Sequence, residues 1–272
     1  MTDPEIPKSG SRLRAALAGA AVVAAIIPII VGLLLSGGGN ATAGGTSSTS
    51  VSKPFVPIVS KKVAIVPSRL LPAGTGALVA ELKHGTQMRS APGGGRLITK
   101  VGTKTVFGSV QTFWVEHLSG SWLGVVSNLA GNNRVGWIPA SSASLSRVNW
   151  ELKASLSKRE LTVLHNGEPM EHYSIAVGAP GAPTPTGHFA VTDRLTTGNP
   201  AGPYGCCILA LSAQAPHAIQ DWSGGNRIAI HSTPETDSIG KPVSHGCMRL
   251  SLAEGRWLLS HIPLGTPTLV AT

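Results

Sequence analysis

Residues 228–250 read IAIHSTPETDSIGKPVSHGCMRL, and this stretch decides how the second half of the chain is organised. The run Arg227–His231 is apolar and β-branched, which suits a buried strand. His231 closes it, and Cys247 follows sixteen residues later. A cysteine attacks as the thiolate, and a free thiol, with a pKa of about 8.5, needs a base or cation beside it at neutral pH. Two histidines are available. His245 lies two residues before Cys247, and in an extended chain such side chains share a face. A loop of this length also returns Cys247 to His231. Gly246 permits a sharp turn and backbone access for a reacting carbonyl. The N–H groups of Gly246 and Cys247 are natural oxyanion donors. The opposing reading makes Cys247 a small buried hydrophobe and the histidines polar filler, since free Cys is among the most buried residue types. Spacing alone leaves both readings open.

Upstream, strands are predicted at Trp150–Leu156, Glu160–His165 and Pro169–Val177, with Asn166-Gly167 as a hairpin turn. Gly178 to Gly187 is Pro-rich and suits neither helix nor central strand. Further strands are predicted at His188–Thr192, Cys207–Ser212 and Arg227–His231. Downstream, Ser251-Leu252-Ala253-Glu254 is a capping box. It opens one helix whose buried stripe is Leu252, Trp257, Leu258 and Ile262, stopped by Pro263. Thr266–Thr272 is predicted as a closing strand. The fold class is mainly β with one C-terminal helix.

The motif Ser244-His245-Gly246-Cys247-Met248-Arg249, preceded by His231 and by Pro183-Thr184-Pro185-Thr186-Gly187, resembles the signature of the YkuD-type L,D-transpeptidases. The likeness runs from about Asn149 to the C-terminus. It implies a β-sandwich-like catalytic domain acting on peptidoglycan stem peptides, with Cys247 as nucleophile and His231 as proton donor and acceptor. The Ser232 carbonyl would orient the His231 ring, where an Asp or Asn stands in other triads. His245, Gly246 and Cys247 would supply oxyanion amides. Many relatives carry Gly after the first His, where this chain has Ser232. Arg249 is a candidate for a substrate carboxylate, with a structural ion pair as the equal alternative.

The preceding region, from Ala77 to about Ser146, reads as short strands: Ala77–Leu82, Leu97–Val101, Phe113–His117, Trp122–Val126 and Val135–Ile138. Met88–Pro92, Ser121–Val125 and Arg134–Ile138 resemble the SH3-like β-barrel modules of bacterial wall enzymes. Trp114, Trp122 and Trp137 are expected in the core, because a small barrel needs large side chains, with a ligand-binding aromatic face as the alternative.

Near the N-terminus, residues 15–35 are uncharged and apolar throughout. As a helix they would rise about 32 Å, the thickness of a bilayer core. Lys8, Arg12 and Arg14 precede this run and no charge follows until Lys53, which places the N-terminus in the cytoplasm and the remainder outside. The alternative is a cleaved signal peptide ending near Ala41-Thr42-Ala43. The expected organisation is a cytoplasmic N-terminus at 1–14 and a transmembrane anchor at 15–35. A Gly/Ser/Thr-rich linker at 36–61, an SH3-like module at 62–147 and the catalytic domain at 148–272 follow.

The net charge of +9 favours anionic partners, and an anionic cell envelope fits it. No dense Lys/Arg run with interleaved aromatics argues for nucleic acid. No C-x-x-C or H-x-x-x-H pair suggests a metal, and no cofactor is expected. Of the three cysteines, Cys206 and Cys207 are adjacent. Bridge geometry wants separated Cα atoms, so they are expected as packing or redox-sensitive residues rather than as a mutual disulfide. The leading expectation is a membrane-anchored, single-pass enzyme facing the wall. The rivals are an L,D-carboxypeptidase and a non-catalytic wall-binding protein.

Overall fold

Alternating burial along short strands builds two sheets in the computed structural model, which describes residues 71–216 and 225–272. The first sheet comprises β1 (Ala77–Leu82), β2 (Thr86–Arg89), β3 (Leu97–Val101), β4 (Thr112–Ser119), β5 (Trp122–Val126), β6 (Val135–Pro139) and β7 (Ala143–Val148). They form an antiparallel ladder in the order β3-β2-β6-β5-β4-β1-β7. Its core is Met88, Phe113, Val115, Leu123, Val125 and Ile138. The three tryptophans do not fill it. Strand side chains alternate faces, so Trp114 lies opposite Phe113 and Val115, and Trp137 opposite Ile138; all three tryptophans are half-buried. β2 and β7 lack an alternating pattern strong enough to be read from sequence. The likeness to SH3-like modules rests on the sequence motifs.

The second sheet contains β8 (Trp150–Ser155), β9 (Glu160–His165) and β10 (Glu168–Ser174), then, after β11 (Val177–Gly178), β12 (Gly187–Thr196), β13 (Cys207–Gln214) and β14 (Arg227–Ser232). After β15 (Pro242–Ser244) come β16 (Met248–Leu250), the helix α1 (Leu252–His261) and β17 (Pro267–Ala271). The sheet order is β10-β9-β8-β17-β12-β13-β14-β16, with β11 and β15 as a separate parallel pair. The hairpin between β9 and β10 turns at Asn166 and Gly167, both with positive φ, as a two-residue turn requires. β10 ends at Ser174 rather than Val177, because Val177 leaves the hairpin to pair with Pro242. β17 does not close an edge: it runs parallel to β8 and antiparallel to β12, in mid-sheet.

The capping box forms as the sequence predicts. Ser251 Oγ accepts from the Glu254 N–H and the Glu254 carboxylate accepts from the Ser251 N–H. Leu258, and Ile262 just beyond the helix, sink into a core shared with Phe189, Leu209, Leu211, Ile228, Ile230, Met248 and Leu250. Leu252 and Trp257 are only partly buried.

The described residues all fall within one compact unit, and polar contacts join the two sheets. His188 Nδ1 lies 2.6 Å from Glu116 Oε1. Asn132 pairs twice with the Gln214 backbone, at 2.7 and 2.9 Å. Asp193 is fully buried; it accepts from the Thr105 hydroxyl and lies 3.7 Å from the Arg227 guanidinium. The expected N-terminal stretch 1–14, membrane span 15–35 and linker 36–61 lie outside the described residues. No helix among the described residues is long and apolar enough to cross a membrane.

Candidate active site

β14 and β16 run parallel in the register Ile230–Met248 and His231–Arg249. With two-residue periodicity, Ile228, Ile230, Met248 and Leu250 face the core. Ala229, His231, Cys247 and Arg249 therefore share the opposite face. Cys247, one residue before β16, packs with Ala229 and Ile208. His231 and Cys247 are both buried, at 2% and 5% exposure. The structure thus brings these two sequence-predicted residues onto one face of neighbouring strands.

His231 Nδ1 lies 2.8 Å from the Ser232 carbonyl oxygen. That bond fixes the tautomer: Nδ1 carries the proton and donates, so Nε2 holds the free lone pair. The Tyr204 ring meets the imidazole edge-on, with centroids 4.9 Å apart. Burial pushes His231 down to about 4; the Ser232 carbonyl works against this, and the positive charge of Arg249 adds to it. Burial pushes the Cys247 thiol up to about 11, opposed by a backbone hydrogen bond from Ala229 and by Arg249. At neutral pH the pair therefore rests as thiol and neutral imidazole.

The turn before Cys247 is held by a side chain. Ser244 Oγ donates to the Cys247 carbonyl at 2.6 Å and accepts from the Gly246 N–H at 3.1 Å. Gly246 has φ +113°, and a Cβ there would lie 2.8 Å from Ile228 Cδ1, so only glycine fits. From the Pro-rich loop, Thr184 Oγ1 donates to the Gly246 carbonyl at 2.9 Å and accepts from the Gly178 N–H at 2.9 Å. Ser244 and Thr184 stand in the two motifs read from sequence, but a hydroxyl that braces a distant turn has no local signature.

The His245 side chain is exposed while Cys247 is buried. The left-handed Gly246 breaks the extended geometry in which residues 245 and 247 would share a face. The Gly246 amide is engaged by Ser244, which corrects its expected availability as an oxyanion donor. Arg249 Nη1 lies 3.2 Å from Glu235 Oε2, and its Nε is buried without a hydrogen bond. Cys206 and Cys207, expected to be unpaired with each other, are joined as a disulfide. Among the described residues no cluster of His, Cys, Asp or Glu is placed to hold a metal ion.

Residues 149–270 match the model of the YkuD family, the L,D-transpeptidase catalytic domain. The second module is similar to the YkuD type over these residues. Its sequence is 35% identical over 119 residues to the YkuD protein of Bacillus subtilis, covering 44% of this chain and 64% of that protein. It is 33% identical over 125 residues to L,D-transpeptidase 1 of Mycobacterium tuberculosis, covering 42% of this chain and 47% of that one. The chain thus spans less than two thirds of the length of either relative. A solved L,D-transpeptidase from Mycobacterium smegmatis aligns at 20% identity with a TM-score of 0.37, covering 56% of this chain and 90% of that one. His231, Ser244 and Cys247 all lie within the matched residues 149–270.

Proposed function

We propose that this chain is a peptidoglycan L,D-transpeptidase that cross-links stem peptides through an acyl-enzyme on Cys247. The observation that carries this reading is a buried thiol and a buried imidazole on one face of β14 and β16, with Nδ1 of the imidazole tied to the Ser232 carbonyl. Cys247 attacks the carbonyl carbon of the donor peptide as its proton passes to His231 Nε2. Because both groups rest neutral, deprotonation accompanies attack. Charge gathers on the carbonyl oxygen, and the His245 and Cys247 amides stabilise it. Resemblance to the family makes the scissile bond the one after the third, diamino-acid residue. His231 then protonates the amine of the leaving D-alanine, and a thioester remains. The side-chain amine of a second stem peptide attacks it and restores the thiol.

Arg249, held by Glu235, sets a positive charge beside the pair; we assign it that electrostatic role. We read residues 15–35 as an anchor that keeps the module on the outer face of the membrane, with the linker 36–61 as its tether. The net charge of +9 suits an anionic wall.

Incubation with purified stem-peptide substrates and mass analysis of the products tests the function. Cross-linked dimers with loss of D-alanine are expected from the native protein and not from Cys247→Ala. Shortened monomers without dimers would make it a carboxypeptidase instead. Intact substrate would make it a binding protein.

A further inference from the structure

The Cys206–Cys207 disulfide lies outside the catalytic pair but touches the residue that orients it. The disulfide closes a ring through the peptide bond between the two cysteines. Both of their amides converge on one hydroxyl: the Cys206 and Cys207 N–H groups donate to Ser232 Oγ at 2.9 and 3.1 Å. Cys206 Sγ itself sits 3.4 Å from that oxygen. The Ser232 carbonyl is the acceptor for His231 Nδ1. Two residues before Cys206, Tyr204 lies against the His231 ring. The fit around Ser232 is close: a Cβ on Gly205 would come within 2.5 Å of its Oγ, and one on Gly255 within 2.7 Å of its Cβ. The cysteine turn thus grips the histidine from two sides.

The disulfide is also reachable. Both cysteines line a cavity of about 520 Å³ on the surface, with Arg194 and Arg256 also on its wall. Cys206 is the more exposed of the two. Thiol–disulfide exchange needs access to a sulfur and a thiolate to attack it. The two guanidinium groups favour the approach of that anion.

We propose that Cys206–Cys207 is a redox site that takes a dithiol through this cavity, and that its disulfide form holds Ser232 and Tyr204 so that His231 is positioned to act on Cys247. A dithiol thiolate attacks Cys206 Sγ and breaks the sulfur–sulfur bond, and Cys207 leaves as a thiolate that takes up a proton. The second thiol of the reagent, giving up its proton, attacks its own sulfur in the mixed disulfide and releases Cys206. The reagent ends as a cyclic disulfide, and two electrons and two protons have passed to the protein. The opened turn no longer has to present both amides to Ser232 Oγ, and the hold on His231 loosens. Loss of the analogous outer partner of a metal-bound histidine costs about 10–100-fold in activity, and a loss at the lower end of that scale is expected here.

This inference rests on His231 serving Cys247, and the test separates the two. The full chain is treated with dithiothreitol, freed of reagent under nitrogen, and its thiols are counted after denaturation. Three thiols are expected against one before treatment. Acylation of Cys247 by a carbapenem is then timed by mass in the oxidised, reduced and reoxidised protein. A drop of roughly tenfold on reduction, recovered on reoxidation, is expected. Nitrogen NMR of His231 should show its Nδ1–H signal broadened or shifted in the reduced form alone. The double variant Cys206→Ala/Cys207→Ala should acylate at the reduced rate whether or not dithiol is added. Should that variant not fold, the three states of the native chain decide. Equal acylation rates in oxidised and reduced protein, or a thiol count that stays at one, would overturn the redox site. Absence of acylation in the oxidised protein would instead overturn the catalytic reading.

Discussion

A buried thiol and a buried imidazole keep their neutral forms, and this sets the pH behaviour of the pair. Cys247 at about 11 and His231 at about 4 hold little preformed thiolate–imidazolium at neutral pH. Alkylation of Cys247 by iodoacetamide should therefore keep accelerating as pH rises through 8 and 9. A plateau below pH 8 would reveal a standing ion pair. His231 also links folding to pH. The unfolded imidazole binds its proton near 6.5 and the folded one only near 4. Stability is therefore complete above about 6.5 and falls as pH drops from there toward 4, by about 3 kcal/mol in all. Denaturant titrations of His231→Leu across this range should show a shallower loss than the native chain. An unchanged slope would mean that another group carries the effect. At this scale the sequence was informative about identity and less so about placement. Cys247 and His231 stand out as residues of the right chemistry. The commitment of the Gly246 amide to Ser244 Oγ follows from a positive φ that residue names alone do not state.

The strand-to-turn unit from β15 to β16 presents Cys247, and the loop before β12 braces it. Thr184 is the brace, satisfying the Gly178 amide and the Gly246 carbonyl with one buried hydroxyl. Thr184→Val keeps the shape and leaves both groups unpaired. A loss of about 1–3 kcal/mol is expected, measured by thermal or denaturant unfolding, together with slower acylation of Cys247. Native stability in this variant would show that the loop is held by other contacts. Local signals made much of this level readable. The Asn166-Gly167 hairpin and the Ser251–Glu254 capping box carry their geometry in adjacent residues. Pairings between distant segments do not. Nothing local marks Val177 as the partner of Pro242, or puts β17 between β8 and β12. Such registers are settled by which faces can be buried together. The disulfide between adjacent cysteines went against the usual spacing rule.

Across the whole described unit, the two sheets meet over a polar junction rather than a linker. β7 ends at Val148 and β8 begins at Trp150. Asp193 sits at the junction, fully buried, between the Thr105 hydroxyl of the β3–β4 loop and Arg227 of the second sheet. Burial pushes the Arg227 guanidinium down from its ordinary range, and Asp193 works against that. Asp193→Asn would leave the buried cation without its counter-charge, at an expected cost of about 3–5 kcal/mol. Calorimetry should show one transition for the native unit and a lower, broader one for the variant. An unaltered transition would mean that the pair contributes nothing net. None of this junction was visible in the sequence, because Thr105, Asp193 and Arg227 are far apart along the chain and none belongs to a motif.

The division of labour between the two histidines sets the test of the whole mechanism. Carbapenem acylation of Cys247, followed by intact mass in the native chain, Cys247→Ala, His231→Ala and His245→Ala, measures it directly. The native chain should gain one acyl group and Cys247→Ala none. His231→Ala should be slowed by a factor on the order of 10²–10⁴, and His245→Ala by much less. Acylation lost in His245→Ala and kept in His231→Ala, or acylation surviving in Cys247→Ala, would contradict it.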